Sequence, residues 1–186
     1  MSDLALQLGP VASLAGAIGI GLVFVQAGAA KLRHRDVLPG VIANYRLLPD
    51  ALVAPLAAVL PPFEIVLGLV LAATGDTAAA LVAVSLLLGF AGAMAINVAR
   101  GRTQIDCGCG RSQLRQPIGW PLVLRNLVMA ALLVPACAGS FRTGGAEIGA
   151  QAVALAAVAG LMLFLLYQLF NAIVALSASP LASGRR

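Results

Sequence analysis

An all-α integral membrane bundle is the fold class this sequence predicts, and three observations predict it. Of 186 residues, 61% are hydrophobic and only 10% charged, against roughly 25% charged in a soluble domain. Apolar runs of about 20 residues, the length that crosses a hydrocarbon core of ~30 Å, recur along the chain. The charges gather at the ends of these runs, where a membrane protein meets headgroups and water. A single membrane domain is expected over residues 1–186, with spans at about 11–30, 51–73, 77–99, 121–138 and 148–176.

The same composition narrows the function. The net charge of +5 forms no solvated stripe with interleaved aromatics, so the lipid bilayer is the expected partner and nucleic acid is not. Residues 1–10 hold Asp3 and neither Lys nor Arg, which speaks against the basic start of a cleavable signal peptide. Three cysteines are too few for a disulfide framework, and His34 as the one histidine leaves no Cys/His zinc pattern. No metal-ligand set is assigned.

The first span ends where Lys31, Arg33, His34, Arg35 and Asp36 mark an interface. Its Gly16, Gly19, Gly21 and Gly28 suit close helix contact, or are ordinary membrane-helix composition, and Gln26 is its one strongly polar side chain. A polar connection over 31–50 follows, with Pro39-Gly40 and Asn44-Tyr-Arg-Leu-Leu-Pro49. Tyr45 and Arg46 suit headgroup anchoring, with a role in shaping a redox site at Cys107-Gly-Cys109 as the alternative.

The second span is expected to be interrupted at Pro61-Pro62, since each proline removes a backbone donor. It carries Glu64. A carboxylate inside a membrane is a candidate functional group, or else one half of a buried ion pair or a hydrogen-bonded acid that holds helices together. At 1.5 Å per residue Glu64 lies ~20 Å from the loop-bearing face and Arg125 ~9 Å, so Arg125 and Asn126 are the expected partners by depth.

The third span follows a Thr74-Gly-Asp76 turn and delivers Asn97 and Arg100 to the central loop. Trp120 stands at the interface beyond that loop. The fourth span carries Arg125 and Asn126 near its start and Cys137, read as a small core residue, near its end. The fifth is longer than a bilayer needs, so it tilts or projects. The tail from Ser177 to Arg186 is small and polar.

Five spans put the loops at 31–50 and 99–118 and the C-terminus on one side. That side holds Lys31, Arg33, Arg35, Arg46, Arg100, Arg102, Arg111, Arg115, Arg185 and Arg186, and the other holds Arg142. The positive-inside rule then places the N-terminus outside and the Cys107-Gly-Cys109 loop at the cytoplasmic face of the plasma membrane.

That loop holds the candidate chemistry. Cysteines one residue apart close a disulfide only as a strained ring, which favours an exchangeable bond. Arg100, Arg102, Arg111 and Arg115 favour thiolate at Cys107 and Cys109, and Asp106 partly opposes them. Gly108 and Gly110 leave room for a partner sulfur. The pair also suits Cu(I), whose preferred ligands are soft thiolates, and a structural disulfide or inert thiols remain the third reading.

Ala-Lys-Leu at 30–32, Asn-Tyr-Arg-Leu-Leu-Pro at 44–49, the proline-preceded Glu64, Asn-x-x-Arg-Gly-Arg at 97–102, Ile-Asp-Cys-Gly-Cys-Gly at 105–110 and Arg-Asn at 125–126 together resemble the MauE family of methylamine-utilisation membrane proteins. That family is related to DoxX-like four-helix membrane proteins, so the resemblance, over about residues 15–135, implies a four-helix core with a fifth C-terminal helix added. It also implies a thiol–disulfide oxidoreductase-like role in maturing a disulfide-rich periplasmic client beside a thioredoxin-like partner, with Cys107 and Cys109 as the functional pair. Where the family pattern commonly has Phe after the second Cys, Gly110 and Arg111 stand here. The periplasmic client and the cytoplasmic loop conflict, and the charge count is the stronger of the two. The electron acceptor is not written in the sequence: a quinone site between apolar helices leaves no signature.

Overall fold

A computed structural model of the chain describes residues 2–105, 118–138 and 149–177. These residues form helices and connecting turns, with no strand among them. Five of the helices are long and apolar enough to cross a membrane, and the chain is a multi-pass membrane protein.

Helix α1 (Ser2–Arg33) is the hub. It packs along one side against α3 (Asp50–Thr74) and along another against α7 (Ala150–Ser177), while α4 (Thr77–Ala99) pairs with α5 (Trp120–Leu132). Two short helices complete the set: α2 (Leu38–Asn44), which lies against α3, and α6 (Val134–Cys137), which touches α1 and α4.

The contact surfaces are built from small residues. A Cβ placed on Gly21 would stand 2.6 Å from the carbonyl oxygen of Gly68, and one on Gly28 would stand 2.6 Å from that of Pro61. Gly16 meets the Leu132 carbonyl on α5, and Gly19 meets Gly160 on α7. Each of the four α1 glycines singled out in the sequence therefore sits at a close backbone approach. In lipid, helices gain little by hiding apolar surface from one another, so close van der Waals contact does the work.

Around these contacts lies a core of Ala17, Ile20, Phe24, Leu71, Ala80, Ala83, Leu87 and Leu133. The large apolar side chains Val59, Val66, Leu155, Leu166 and Leu176 instead face outward and are more than half exposed. That is the disposition expected where the surroundings are hydrocarbon.

Three local features depart from the sequence reading. Pro61-Pro62 do not interrupt the second span: α3 runs unbroken from Asp50 to Thr74 with Pro55, Pro61 and Pro62 inside it. Membrane helices tolerate such prolines because neighbours re-satisfy the freed carbonyls, and here Pro61 is packed directly on α1. The 31–50 connection contains α2, entered with Pro39 in its first turn, where a missing N–H costs nothing. The fourth span is divided at Leu133 into α5 and α6, just ahead of Pro135, which fills the corresponding early position of α6.

Helix ends follow sequence signals. Gly75, at φ 57°, closes α3 by donating its N–H to Leu71 O, and the Asp76 side chain caps α4 by accepting from the Ala79 N–H at 3.0 Å. Gly101, at φ 73°, ends α4 in a Schellman arrangement, with Gly101 N–H donating to Val98 O and Arg102 N–H to Asn97 O.

Candidate functional site

The antiparallel approach of α1 and α3 brings Lys31 beside Glu64. Lys31 Nζ donates to Glu64 Oε1 at 2.5 Å and to Oε2 at 2.6 Å, with the lysine 6% and the glutamate 0% exposed. The ammonium also stands 5.2 Å from the centre of the Phe90 ring on α4, within cation–π range. Glu64 is thus buried inside the bundle in an ion pair.

The partner expected from depth counting is corrected by this geometry. Lys31, read in the sequence as an interface residue, is the cation that takes both carboxylate oxygens. Arg125 and Asn126, from α5, line the same small cavity as Lys31, Glu64 and Tyr167. The Arg125 guanidinium lies 5.1 Å from the Tyr167 ring centre and donates to Asn171 Oδ1, joining α5 to α7.

A second polar cluster lies at the end of the bundle that leads into the cysteine loop. Asn97, fully buried, donates from Nδ2 to Tyr45 O and Ala93 O, each at 3.1 Å, and accepts from Arg102 Nη1 at 3.0 Å. Arg102 Nη2 donates to Asn44 O at 2.8 Å. The two side chains clamp the end of α2 to the end of α4. Tyr45 is drawn inward by this arrangement and packs, half-buried, on a core formed by Met94, Ile105, Ile118 and Leu122, while Arg46, at φ 49°, is exposed. The Ile118 N–H donates to Ile105 O at 3.0 Å, so the chain enters and leaves the 106–117 segment at one point.

Over residues 10–140 the chain matches the family profile described as methylamine utilisation protein MauE. The chain belongs to the MauE family. A MauE of Paracoccus denitrificans is 42% identical over 98% of this chain and 97% of its own length. One of Methylophilus methylotrophus is 37% identical over 91% and 90%, and one of Methylorubrum extorquens is 45% identical over 59% of each. No solved structure matches the chain.

Within this MauE chain the residues singled out by sequence divide into three groups. Glu64, Arg125 and Asn126 meet at the interior cavity, together with Lys31. Asn97 and Arg102 meet at the clamp, and Arg100 is exposed at the C-cap of α4. Asp106, Cys107, Cys109, Arg111 and Arg115 lie outside the described residues. Arg102, expected to favour thiolate through its charge, directs two guanidinium nitrogens at Asn97 and Asn44. Cys137 is a half-buried free thiol packed against the main core.

Sequence reasoning missed Tyr167 and Asn171. Both sit in the long fifth span, where a Tyr and an Asn in an otherwise apolar helix are the available signal, since buried polar groups there seek partners across helices.

Asn97→Leu removes the acceptor of Arg102 and the donor to Tyr45 O together. It is expected to lower stability by ~1–3 kcal/mol, the range for buried hydrogen-bonding groups left unpaired. Thermal unfolding in detergent measures this, and an unchanged midpoint would show that the clamp holds nothing together.

Proposed function

We propose that this chain is an accessory membrane protein of methylamine utilisation that supports thiol–disulfide exchange in the maturation of a disulfide-containing extracytoplasmic protein, with Cys107 and Cys109 as the redox pair. The observation that carries the reading is MauE membership across residues that include the Cys-Gly-Cys loop. The pinned entry and exit of that loop at Ile105 and Ile118, and the clamp beside it, support it further.

In the proposed exchange, a client dithiol closes to a disulfide and gives up two electrons and two protons. The Cys107–Cys109 disulfide accepts them and opens to two thiols. The disulfide of a thioredoxin-like partner then reoxidises the pair and is itself reduced.

The test is a redox titration of the purified protein, with free thiols alkylated and counted by mass. Two alkylations at Cys107 and Cys109 are expected under reducing conditions and none under oxidising ones, with the pair equilibrating against a thioredoxin-like protein. Cys109→Ser should trap a mixed disulfide through Cys107. A pair that stays reduced and binds Cu(I) tightly would replace exchange with metal binding, and a bond that resists every physiological reductant would leave a structural tie.

The orientation proposed is N-terminus outside with the cysteine loop cytoplasmic, at the inner membrane. Its support is that the exposed cations Arg33, Arg35 and Arg46, at and after the end of α1, and Arg100, at the end of α4, fall in the two connections that five crossings put on one side. In this orientation an outside client is served only through a loop that folds back into the bundle or a relay of electrons across it, and direct exchange as written requires a client on the loop's own side. Single cysteines introduced at Asp76 and at Arg111 in a protein lacking its own cysteines report the topology. An impermeant maleimide applied to intact cells should label position 76 and spare position 111. The reverse pattern would put the thiols on the client's side and remove the need for a crossing.

A further inference from the structure

The corner of the bundle beside the clamp gathers arginines. Arg102 is turned into the clamp, with its guanidinium bonded to Asn97 and to Asn44 O. Arg46 follows Tyr45 directly and Arg100 stands one turn beyond Asn97, and both are exposed. Because Asn97 Nδ2 donates to Tyr45 O, the contact that ties α2 to α4 also holds these two guanidiniums at one corner. Asp36 and Asp50, the exposed acids of the 31–50 connection, form no ion pair with either of them, nor does any other described carboxylate.

The backbone of Arg46 makes the same point independently. It closes α2 in the left-handed conformation, at φ 49°, with its N–H donating to Ala43 O. Glycine takes this place at a helix end freely, whereas a residue with a Cβ is disfavoured there. The helix ending has no need of a side chain, so what an arginine adds is its guanidinium, and that group is turned outward.

The surface leading inward from this corner identifies the ligand. Leu48 is exposed next to Arg46, and Leu52, Leu56, Val59 and Phe63 continue from it along one face of α3, all exposed. A soluble acidic partner would meet the guanidiniums and stop at the membrane surface. A phospholipid meets them with its phosphate and follows the aliphatic ridge with an acyl chain. Guanidiniums bind phosphate oxygens through charge-assisted, often paired hydrogen bonds, and a zwitterionic headgroup brings its own cation to compete with them. We propose that Arg46 and Arg100 bind the headgroup of one anionic phospholipid, whose acyl chain lies along Leu48, Leu52, Leu56 and Val59. The site is independent of the thiol pair.

The experiment uses the delipidated full chain in a neutral detergent at constant ionic strength, titrated with phosphatidylglycerol or with phosphatidylcholine of the same acyl chains. Thermal midpoint is expected to rise saturably with phosphatidylglycerol and to stay level with phosphatidylcholine. Glycerol 1-phosphate at the same concentrations should give no shift, because the chain's contribution is missing. Arg46→Gln and Arg100→Gln should each raise the half-saturating lipid fraction about tenfold, as expected for losing a hydrogen bond between charged groups. Arg46→Gly should raise the lipid-free midpoint, by relieving the backbone, and yet weaken the response to phosphatidylglycerol as Arg46→Gln does. Arg35→Gln, at the end of α1 and away from the clamp, should leave the titration unchanged. Equal responses to the two lipids, or a response that survives in Arg46→Gln/Arg100→Gln, would overturn the proposal. So would an equal weakening by Arg35→Gln, which would mean a diffuse basic face, or a shift with glycerol 1-phosphate as large as the lipid's, which would mean a site for free phosphate. A midpoint that ignores the lipids and rises with a polyglutamate peptide would overturn it in favour of an acidic protein partner.

Discussion

Glu64→Gln is expected to destabilise the bundle by ~3–5 kcal/mol, because it leaves Lys31 buried without its carboxylate. That is a loss of roughly two to four powers of ten in the folding equilibrium. Glu64 is fully buried and Lys31 nearly so, so neither side chain can swing into water to escape the loss. Lys31→Met should also be damaging from the other side, because it takes from the buried Glu64 carboxylate the ammonium that donates to both of its oxygens. The double variant Lys31→Met/Glu64→Leu removes both charges and replaces them with apolar side chains of similar size. Such replacements of buried pairs are often neutral or stabilising, so the double variant should recover most of the folded yield. Denaturant titration in mixed micelles reads all three. Two single variants that unfold like the parent would show that the pair contributes nothing to stability. A rescued double variant that still fails to support its client would show that the charges themselves serve function.

The Lys31–Glu64 pair also shows where the sequence stopped being legible. The fold class was readable because a bilayer imposes about 20 apolar residues per span, and α1, α3, α4 and α7 each contain a predominantly apolar stretch of that length. Glu64 was readable as an interior group because a carboxylate deep in such a run has few alternatives. Its partner was not. Lys31 closes an apolar run, and a long cation there reads as reaching outward to headgroups. What decides otherwise is the offset between two helices. Gly21 meets Gly68 and Gly28 meets Pro61 and Ile65, which brings Lys31, near the end of α1, within reach of Glu64. Helical side chains lean toward the N-terminus of their own helix, and for α1 that direction leads into the bundle. Counting depth from the ends of runs assumes that helices start level. Here α3 extends past the end of α1 and is flanked there by α2, so the count misplaces the cation.

The clamp was half legible for a related reason. Asn-x-x-Arg-Gly-Arg announces a helix stop, since Gly101 can adopt the left-handed conformation that a Schellman ending requires. Nothing local says that the Asn97 and Arg102 side chains reach the carbonyls of Tyr45 and Asn44, because those acceptors lie some fifty residues earlier and are brought near only by the packing of α2.

Substituting the glycines that set this offset should have the second large effect, and it should separate close packing from mere composition. A Cβ at Gly68 would lie 2.5 Å from Gly21 O and 2.9 Å from the Val25 backbone nitrogen, and a Cβ at Gly21 would meet Gly68 O at 2.6 Å. These neighbours are main-chain atoms of rigid helices, so the helices themselves must part by close to an ångström. Gly68→Ala is expected to cost ~1–3 kcal/mol, the range for overpacked sites, and Gly68→Leu more. A methyl group added at Gly89, on α4, would have nothing within 4 Å of it, and Gly89→Ala should be neutral or stabilising by up to ~1 kcal/mol through helix propensity alone. Because Gly21 and Gly68 press on one another, Gly21→Ala and Gly68→Ala should not add: once the first has forced the helices apart, the second meets less resistance. The same separation would draw Lys31 away from Glu64, so a glycine variant should lose part of the coupling between those two charges in a double-mutant cycle. Gly68→Ala as stable as Gly89→Ala, with that coupling intact, would mean that α1 and α3 are not held at this distance.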